Sequence, residues 1–371
     1  MFAANRESPN LAASAGAYAN AYNRCALTEL TWPIVLSRLL SGQGLAAWEA
    51  SWAMERIMSG DTTPAQLGAF VAALRAKGET VEEIVGMVAT MRDLALKVPV
   101  EGPVVDTCGT GGDRAGTVNA STMAAFVVAG AGGKVAKHGN RAASSASGSA
   151  DVLEALGVRI DLGPDQVAAC IGEVGMGFCF APIFHPSMRH TAVVRREVGV
   201  PTVFNFLGPL TNPAGARHQA LGVSDRTMAP KMAEVLARTG SVHALVLRGC
   251  DGLDEITLSG PTEVWELRDG AVTESVIDPA ELGIARAPSE ALRGGPPAHN
   301  AEVALEVLGG APGPCRDFVL INAAAALVAA DLVQSLADGL AAAAESVGSG
   351  RALGCLSRLR TLSNQFAAPR S

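Results

Sequence analysis

A glycine-rich segment is the first part of the chain whose residue types could do chemistry. Gly109-Thr110-Gly111-Gly112-Asp113 follows a short apolar stretch and is followed in turn by Asn119-Ala120-Ser121-Thr122. Glycine lets the backbone approach an anion closely, and amide and hydroxyl groups at a helix start stabilise negative charge. The spacing matches neither a G-x-G-x-x-G loop nor a Walker A loop, which also requires Lys. We interpret the segment as an anion-binding loop; the alternative is a tight turn with an ordinary N-cap.

A second polar segment, residues 137–145, combines two cations, an imidazole, an amide and two hydroxyls after another apolar stretch. Its sequence is Lys137-His138-Gly139-Asn140-Arg141-Ala142-Ala143-Ser144-Ser145. Basic side chains beside small hydroxyl residues suit phosphate oxygens. The pattern favours a phosphate-binding loop over a solvated polar loop.

An acidic segment follows a third apolar stretch and contains Asp251, Asp254 and Glu255. Mg²⁺ prefers a few carboxylates completed by substrate phosphates and water. Because two candidate phosphate loops are present, we interpret Asp254 and Glu255 as metal ligands; the alternative is a plain acidic turn.

A basic stretch contains Arg189, Arg195 and Arg196. An arginine aimed inward would bind a substrate carboxylate with two hydrogen bonds. Spacing alone does not separate this role from that of solvent-facing basic residues. No Ser-His-Asp or Cys-His relay is indicated, and Cys108 is interpreted as a packed thiol.

The surrounding patterns predict which elements position these segments. Residues 1–29 lack a clear period and are interpreted as a mobile tail. Residues 30–99 have a helical period, with helix starts at Thr63-Pro64 and at the capping box Thr80-x-x-Glu83. Residues 100–371 alternate between short apolar strands and helices, which predicts a largely parallel sheet covered on both faces. A helical insertion at 186–200 is expected to pack on the helical domain. The predicted strands are 104–106, 134–136, 178–181, 203–206, 220–223 and 244–247.

Composition excludes several classes of protein. The net charge is −7 and aromatic residues make up 4% of the chain, which argues against a basic groove or a stacking platform for nucleic acid. The seven cysteines include no C-x-x-C pair, so neither a disulfide framework nor a zinc site is predicted. The opening residues lack the pattern of a signal peptide, and the apolar stretch 318–330 is short for a membrane span. A cytoplasmic location, without membrane or nucleic-acid partners, is therefore expected.

The ordered motifs GTGGD, TVNAST, KHGNRAASS, GFCFAPIFHPSMRH, FNFLGPLTNPA and DGLDE resemble those of the anthranilate phosphoribosyltransferase family. The resemblance runs from about Leu30 to the C-terminal helices. It implies a small helical domain joined to a larger α/β domain, as in nucleoside phosphorylases and related phosphoribosyltransferases. It also implies a homodimer, bound Mg²⁺ and transfer of phosphoribose from 5-phosphoribosyl 1-pyrophosphate to the amine of anthranilate, in L-tryptophan biosynthesis.

The resemblance further implies the roles of individual residues. Arg195 becomes the anchor for the anthranilate carboxylate, together with Asn140 and Gly109. The implied metal ligands are Ser121, near one Mg²⁺, and Asp254 and Glu255, which hold the other. Catalysis is expected to be electrostatic, with Lys137 and Arg141 as candidates, and the proton acceptor is left open among water, phosphate and His138. The implied donor-binding residues are Gly109, Gly112, Asp113, Thr117, Asn119, Ala120, Ser121, Thr122, Lys137, His138, Gly139, Asn140, Arg141, Ala142, Ala143, Ser144, Ser145 and Ser149.

The chain departs from the family pattern at Gly116, where Asn is common, and at Met188, where Tyr or Leu is common. Three alternative functions stay open on the sequence. They are a paralogous phosphoribosyltransferase with another aromatic acceptor, an inactive relative that binds nucleic acid, and a nucleoside phosphorylase.

Overall fold

The computed structural model describes residues 30–142 and 146–366. The expected tail 1–29 and the loop residues Ala143, Ser144 and Ser145 lie outside the described residues. No helix in the described part of the chain is both long enough and apolar enough to cross a membrane.

Four helices form the first part of the fold: α1 (Trp32–Leu40), α2 (Ala47–Ser59), α3 (Pro64–Lys77) and α4 (Val81–Leu94). The two predicted helix starts are confirmed, since the hydroxyls of Thr63 and Thr80 accept from the backbone N–H groups of Gln66 and Glu83. Helices α2 and α4 pack closely because a Cβ at Gly86 would lie 2.0 Å from the backbone oxygen of Ala47.

A seven-stranded sheet forms the centre of the second part, and its strand order is β3-β2-β1-β4-β5-β6-β7. The strands are β1 (Val105–Gly109), β2 (Val135–Gly139), β3 (Met176–Phe180), β4 (His218–Gly222), β5 (His243–Gly249), β6 (Thr262–Arg268) and β7 (Ala271–Ile277). The strands from β1 to β5 pair in parallel, whereas β6 and β7 pair antiparallel. The predicted mostly parallel α/β fold is confirmed, although the antiparallel pair at one edge was not predicted.

One predicted strand, 203–206, is wrong. The structure has a short helix, α10 (Phe204–Leu207), at this place. Its apolar side chains are buried in the core that the helical domain shares with one face of the sheet. A short apolar run has the same composition whether it is a buried strand or a buried helical turn, so periodicity could not separate the two.

Helices cover both faces of the sheet. The remaining helices are α5 (Ala120–Gly130), α6 (Ser149–Ala155), α7 (Pro164–Val174), α8 (Ala181–Phe184), α9 (Ala192–Val198), α11 (Ala229–Arg238), α12 (Pro297–Leu308), α13 (Pro314–Ala329), α14 (Leu336–Gly348) and α15 (Arg351–Gln365). Successive residues of β5 serve different cores: Leu245 packs in the core that includes α5 and α13, while Val246 packs in the core shared with the helical domain. This alternation follows from the two-residue period of a strand.

The expected helical insertion is a 3₁₀ turn (Pro186–Thr191) followed by α9. It packs on the helical domain, where Val194 is buried with residues of α2 and α3. The imidazole of His190 lies against Gly60, and a Cβ at Gly60 would be 2.9 Å from the His190 ring.

Candidate active site at the carboxyl edge of the sheet

Three of the chemistry-bearing segments meet at one edge of the sheet. In the parallel register Gly109 at the end of β1 pairs with Gly222 at the end of β4, and Gly139 ends the neighbouring strand β2. The acidic segment follows β5, whose chain direction is the same. Ligands of open α/β sheets bind at this edge because the carboxyl ends of parallel strands converge there.

Asp254 lies against two strand ends whose last residues, Gly109 and Gly222, are glycines. A Cβ at Gly109 would lie 2.2 Å from Asp254 Oδ2, and a Cβ at Gly222 would lie 1.5 Å from the Asp254 backbone oxygen. The backbone N–H of Gly111 donates to Asp254 Oδ2 at 2.7 Å. Glycine is therefore required at both strand ends. Gly222 was not identified as a site residue from the sequence, although it lies near the end of the predicted strand 220–223.

Glu255 meets the start of α5. The backbone N–H of Ser121 donates to Glu255 Oε1 at 3.2 Å. Desolvation and then the neighbouring Asp113 raise the pKa of Asp254 to about 7. Desolvation and then Asp254 raise the pKa of Glu255 to about 8. Two adjacent carboxyls with raised pKa values, one held by the glycine loop and the other by the start of α5, form a site where a cation would offset the cost of ionisation.

Lys137 lies beneath this pair. Its side chain is 1% exposed, and its ammonium donates to the backbone oxygen of Thr107 and, at 3.2 Å, to Ser121 Oγ. Desolvation lowers the pKa of Lys137. The structure thus places the Lys137 charge under the Ser121 hydroxyl instead of on a solvent-exposed loop.

Asp106, interpreted from the sequence only as part of a strand, is buried next to Lys137. Its carboxylate accepts from the backbone N–H of His138 at 3.1 Å and from Asn212 Nδ2 at 2.7 Å. Desolvation raises the pKa of Asp106 to about 6. Asp106 could have been identified from the sequence because it is an acidic residue within a predicted buried strand, and buried carboxylates are rare without partners.

The glycine loop is held by its neighbours in an unusual backbone conformation. Residues Gly111, Gly112 and Gly116 have φ values of +65°, +83° and +64°. Ser224, which was not singled out from the sequence, donates its hydroxyl to the Gly111 oxygen at 2.8 Å. The left-handed region is open to glycine and, among other residues, most readily to Asn. The departure at Gly116 therefore keeps a residue type suited to its φ value.

The remaining residues of this loop are placed as follows. Asp113 Oδ1 accepts from the N–H of Ala115 at 3.2 Å. Thr117 forms an antiparallel bridge with Arg293, so the loop ends against a distant segment. Ala120 begins α5, and Thr122 is 1% exposed within that helix.

His138 is buried next to a second histidine. Its Nδ1 lies 3.0 Å from the Gly208 oxygen, and its ring centroid is 5.1 Å from that of His185. Desolvation, followed by the charge of His185, lowers the pKa of His138 to about 3. Desolvation lowers the pKa of His185 to about 4. Both rings are therefore neutral at pH 7, and protonating either one is costly.

The second polar loop is closed by Asp151, which was not singled out from the sequence. Asp151 Oδ2 accepts from the N–H groups of Ala142 and Gly148, each at 2.9 Å. Arg141 is exposed and pairs with Asp151 at 3.0 Å and with Glu154. The hydrogen bonds that Arg141 donates to Glu154 and then to Asp151 raise the pKa of Arg141.

Asn140 and Ser149 are joined across the same loop. Ser149 Oγ donates to the Asn140 backbone oxygen at 3.2 Å. A Cβ at Gly139 would lie 2.2 Å from Ser149 Oγ, so glycine at the end of β2 permits this contact.

Among the arginines of the basic stretch, Arg195 is drawn inward while Arg189 and Arg196 are exposed. Its guanidinium lies 5.6 Å from the centre of the Phe204 ring, and desolvation lowers its pKa. Met188, the second departure, lines a small cavity of about 10 Å³ with Met58, Met91 and His185. Both features lie where the helical domain meets the α/β part.

No set of three or more His, Cys, Asp or Glu side chains is arranged to hold a metal by itself among residues 30–142 and 146–366. Any divalent cation at Asp254 and Glu255 would therefore complete its coordination with oxygen ligands from water or from a substrate. That is the usual mode for Mg²⁺.

Comparison with known proteins agrees with this architecture. The family described as "Glycosyl transferase family, a/b domain" matches residues 101–353, and "Glycosyl transferase family, helical bundle domain" matches residues 33–95. A protein of Arthrobacter sp. (strain FB24) named anthranilate phosphoribosyltransferase is 55% identical over 334 residues, which cover 88% of this chain and 95% of that protein.

Two solved structures are similar throughout. The anthranilate phosphoribosyltransferase of Thermus thermophilus has a TM-score of 0.85 and 44% identity, covering 89% of this chain and 99% of that one. The Saccharomyces cerevisiae enzyme in complex with PRPP and Mg has a TM-score of 0.84 and 29% identity, covering 91% of this chain and 99% of that one.

Proposed function

Because the chain belongs to the anthranilate phosphoribosyltransferase family, we propose that it transfers 5-phosphoribose from 5-phosphoribosyl 1-pyrophosphate to the amine of anthranilate. Pyrophosphate is the leaving group, and the reaction is a step of L-tryptophan biosynthesis. The observation that carries the proposal is the meeting of Ser121, Asp254 and Glu255 with the glycine loop at one sheet edge.

The donor is assigned to this edge. The glycine loop, the start of α5 and the loop from Lys137 to Ser149 lie at neighbouring strand ends. The N–H groups of Gly111 and Ser121 are held by Asp254 and Glu255, so the phosphates would meet the other N–H groups of the glycine loop. The Lys137 ammonium donates a hydrogen bond to the Ser121 hydroxyl. This contact orients the hydroxyl and adds positive electrostatic potential at the donor site. Arg141 is held by Asp151 and Glu154, so it must exchange these partners to reach a phosphate.

The acceptor is assigned to the boundary between the helical and α/β parts. Arg195 is desolvated there, and a desolvated guanidinium binds a carboxylate more strongly than an exposed one. Asn140 and Gly109 lie on the adjoining strand ends and complete the proposed anthranilate pocket.

Mg²⁺ fits the donor set of this chain. Two carboxyls whose pKa values are raised by desolvation share one small region with a serine hydroxyl, and hard oxygen ligands of this kind are those that Mg²⁺ takes. When bound, the cation would neutralise charge on the departing diphosphate. Asp254 and Glu255 would hold it, with Ser121 as a third protein ligand.

The residues supply positioning and electrostatics but no strong base. An aryl amine is neutral at pH 7 and can attack without prior deprotonation. His138 remains an acceptor of hydrogen bonds, since its pKa of about 3 prevents it from storing a proton at neutral pH. In the substrate-free site this makes water or a phosphate oxygen a better acceptor of the amine proton than His138.

We also propose that the protein is a homodimer that associates through the helical domain. Leu40 is 76% exposed and Trp48 is 60% exposed, and Ile34 lies on the same pair of helices. Exposed apolar groups of this size are typical of interaction surfaces. Light scattering of the wild type and of Trp48→Glu measures the mass; an unchanged dimer in the variant would exclude this surface.

The activity is tested by the loss of anthranilate fluorescence when donor and Mg²⁺ are supplied. Asp254→Asn and Glu255→Gln should each reduce Mg²⁺-dependent turnover by at least tenfold while the fold is retained. Glu274→Gln, on the exposed strand β7, is the matched control and should be unaffected. Turnover that does not respond to Mg²⁺ or to these substitutions would exclude the metal site, and pyrophosphate release with another aromatic acceptor only would indicate a different substrate.

A further inference from the structure

A buried asparagine outside the predicted site lies at the junction of the donor loops. Asn300, in the first turn of α12, is 3% exposed. Its Nδ2 donates to Asn119 Oδ1 at 2.8 Å, and its Oδ1 accepts from the backbone N–H of Gly295 at 2.7 Å. Asn119 in turn donates its Nδ2 to the Ser147 backbone oxygen at 3.0 Å.

This chain of hydrogen bonds has one possible direction. The N–H of Gly295 can only donate, which makes the facing atom of Asn300 its oxygen and leaves its amide to donate to Asn119. The Ser147 carbonyl can only accept, which fixes the amide of Asn119 in the same sense. The two backbone groups at the ends therefore set the orientation of both side chains, and neither can flip alone.

The linked segments are those assigned to the donor. Gly294 donates its N–H to the Gly116 oxygen at 2.8 Å, so the segment that Asn300 holds also closes the glycine loop. Asn119 lies immediately before α5 and Ser121, and Ser147 lies just before Ser149 on the second loop. A Cβ at Gly294 would be 2.7 Å from the Thr117 backbone oxygen, so these segments are in direct contact.

We propose that Asn300 is a positioning residue that fixes the two phosphate-binding loops relative to each other through Asn119. This inference rests on the proposed function, since it assigns both loops to the phosphoribosyl donor. Asn300 acts through Asn119 and the backbone of Ser147, so its effect falls first on donor binding. The carboxylate anchor Arg195 lies outside both loops, and Asn140 and Gly109 lie seven or more residues along the chain from the groups that Asn300 links.

The test is Asn300→Asp, which has nearly the same shape. The retained Oδ1 can still accept from the Gly295 N–H, but the new oxygen replaces the Nδ2 donor and places an acceptor against Asn119 Oδ1. The Michaelis constant for 5-phosphoribosyl 1-pyrophosphate should rise about tenfold (about 1.4 kcal/mol), while that for anthranilate should change less than twofold. Asn364→Asp is the control: it removes a donor to the backbone oxygen of Gly157, far along α15, and both constants should remain within twofold of the wild type.

Hydrogen exchange of the ligand-free protein measures the effect of the Asn300–Asn119–Ser147 hydrogen bonds without any substrate. Backbone amides of residues 146–149 should exchange about tenfold faster in Asn300→Asp than in Asn364→Asp. If Asn300→Asp does not fold, Asn119→Asp provides the second measurement, since it keeps the bond to Asn300 and breaks the one to Ser147.

The outcomes separate two failures. Equal rises in both Michaelis constants, or unchanged exchange at 146–149, would overturn the role of Asn300. A wild type that does not bind 5-phosphoribosyl 1-pyrophosphate in calorimetry would instead remove the proposed function, and with it this assignment of the loops.

Discussion

An ion pair between Arg75 and Asp225 should couple the helical domain to the sheet edge. Arg75 lies on α3, and its Nη2 is 2.7 Å from Asp225 Oδ2 in the loop that follows β4. Asp225 adjoins Ser224, whose hydroxyl holds the Gly111 oxygen of the glycine loop at 2.8 Å. The contact therefore joins the two parts of the molecule directly beside the proposed donor site.

The expected coupling energy follows from exposure and geometry. The side chains of Arg75 and Asp225 are 35% and 22% exposed, and Arg75 keeps Glu79 at 3.5 Å as a second partner. A charge-assisted hydrogen bond contributes about 1.5–3 kcal/mol when buried, whereas exposed pairs contribute about 0.2–1 kcal/mol. For a partly exposed pair with a remaining partner, we expect about 1 kcal/mol, which corresponds to roughly 1–2 °C in melting temperature for a chain of 371 residues.

The pH dependence gives a second measure of the same pair. Desolvation, the largest single influence, raises the pKa of Asp225, but the hydrogen bonds from Arg75 and Thr227 together lower the pKa below its ordinary value. An acid with a lowered folded pKa stabilises the fold above its unfolded pKa of about 3.9. The contribution should therefore be complete at pH 7 and disappear as the pH falls through the folded pKa.

A double-mutant cycle measures the coupling. Arg75→Gln, Asp225→Asn and the double variant are compared by urea unfolding at pH 7 and at low and high salt. The cycle for Arg56 and Asp61, an ion pair at 3.4 Å with both side chains more than half exposed, is the control and should give a value near zero. A coupling below about 0.2 kcal/mol for Arg75 and Asp225, or equal values in the two cycles, would refute the reasoning.

Three further outcomes are expected. Gly222→Ala should remove most turnover and lower the melting temperature, because its Cβ would lie 1.5 Å from the Asp254 backbone oxygen. The control Gly172→Ala, with open space around it in a helix, should do neither, and equal effects of the two variants would contradict the close contact between Gly222 and Asp254. Mg²⁺ should raise the melting temperature of the substrate-free protein more at pH 8 than at pH 6, because at pH 6 it must displace protons from Asp254 and Glu255, whose pKa values are about 7 and 8. Equal shifts of the melting temperature at the two pH values would argue against Mg²⁺ binding there. The pH profile of kcat/KM should have no inflection near 6.5 from His138, whose pKa is about 3; an inflection that disappears in His138→Asn would show that the ring titrates during the reaction.

Local chemistry made several elements predictable. The caps at Thr63 and Thr80 appear as predicted because a capping side chain and its target N–H are three residues apart, so the interaction needs no tertiary contact. The polar loops after β1, β2 and β5 were also predictable, since glycine and charge following an apolar run indicate a strand end. The helix at Phe204–Leu207 was not, because burial against another domain gives a helical turn the same apolar composition as a strand.

The assembly of the site depended on contacts between distant residues. Asp254 reaches Gly111 from 143 residues away, and the glycine at position 222 is explained only by the Asp254 backbone that fills its place. The three arginines of the basic stretch have similar chemistry, and only packing against Phe204 draws Arg195 inward while Arg189 and Arg196 stay exposed. The Asn119 contact with Asn300 spans 181 residues and has no local pattern.

The sequence by itself determined the family, the mostly parallel sheet and the segments that carry the chemistry, because motifs, caps and hydrophobic periods are local properties of the chain. The tertiary structure decided which groups share a site and in what state. Burial raises the pKa values of Asp254 and Glu255, keeps His138 neutral and places the Lys137 charge beneath Ser121. These properties arise from desolvation and from neighbours supplied by other strands and helices, which no single segment encodes.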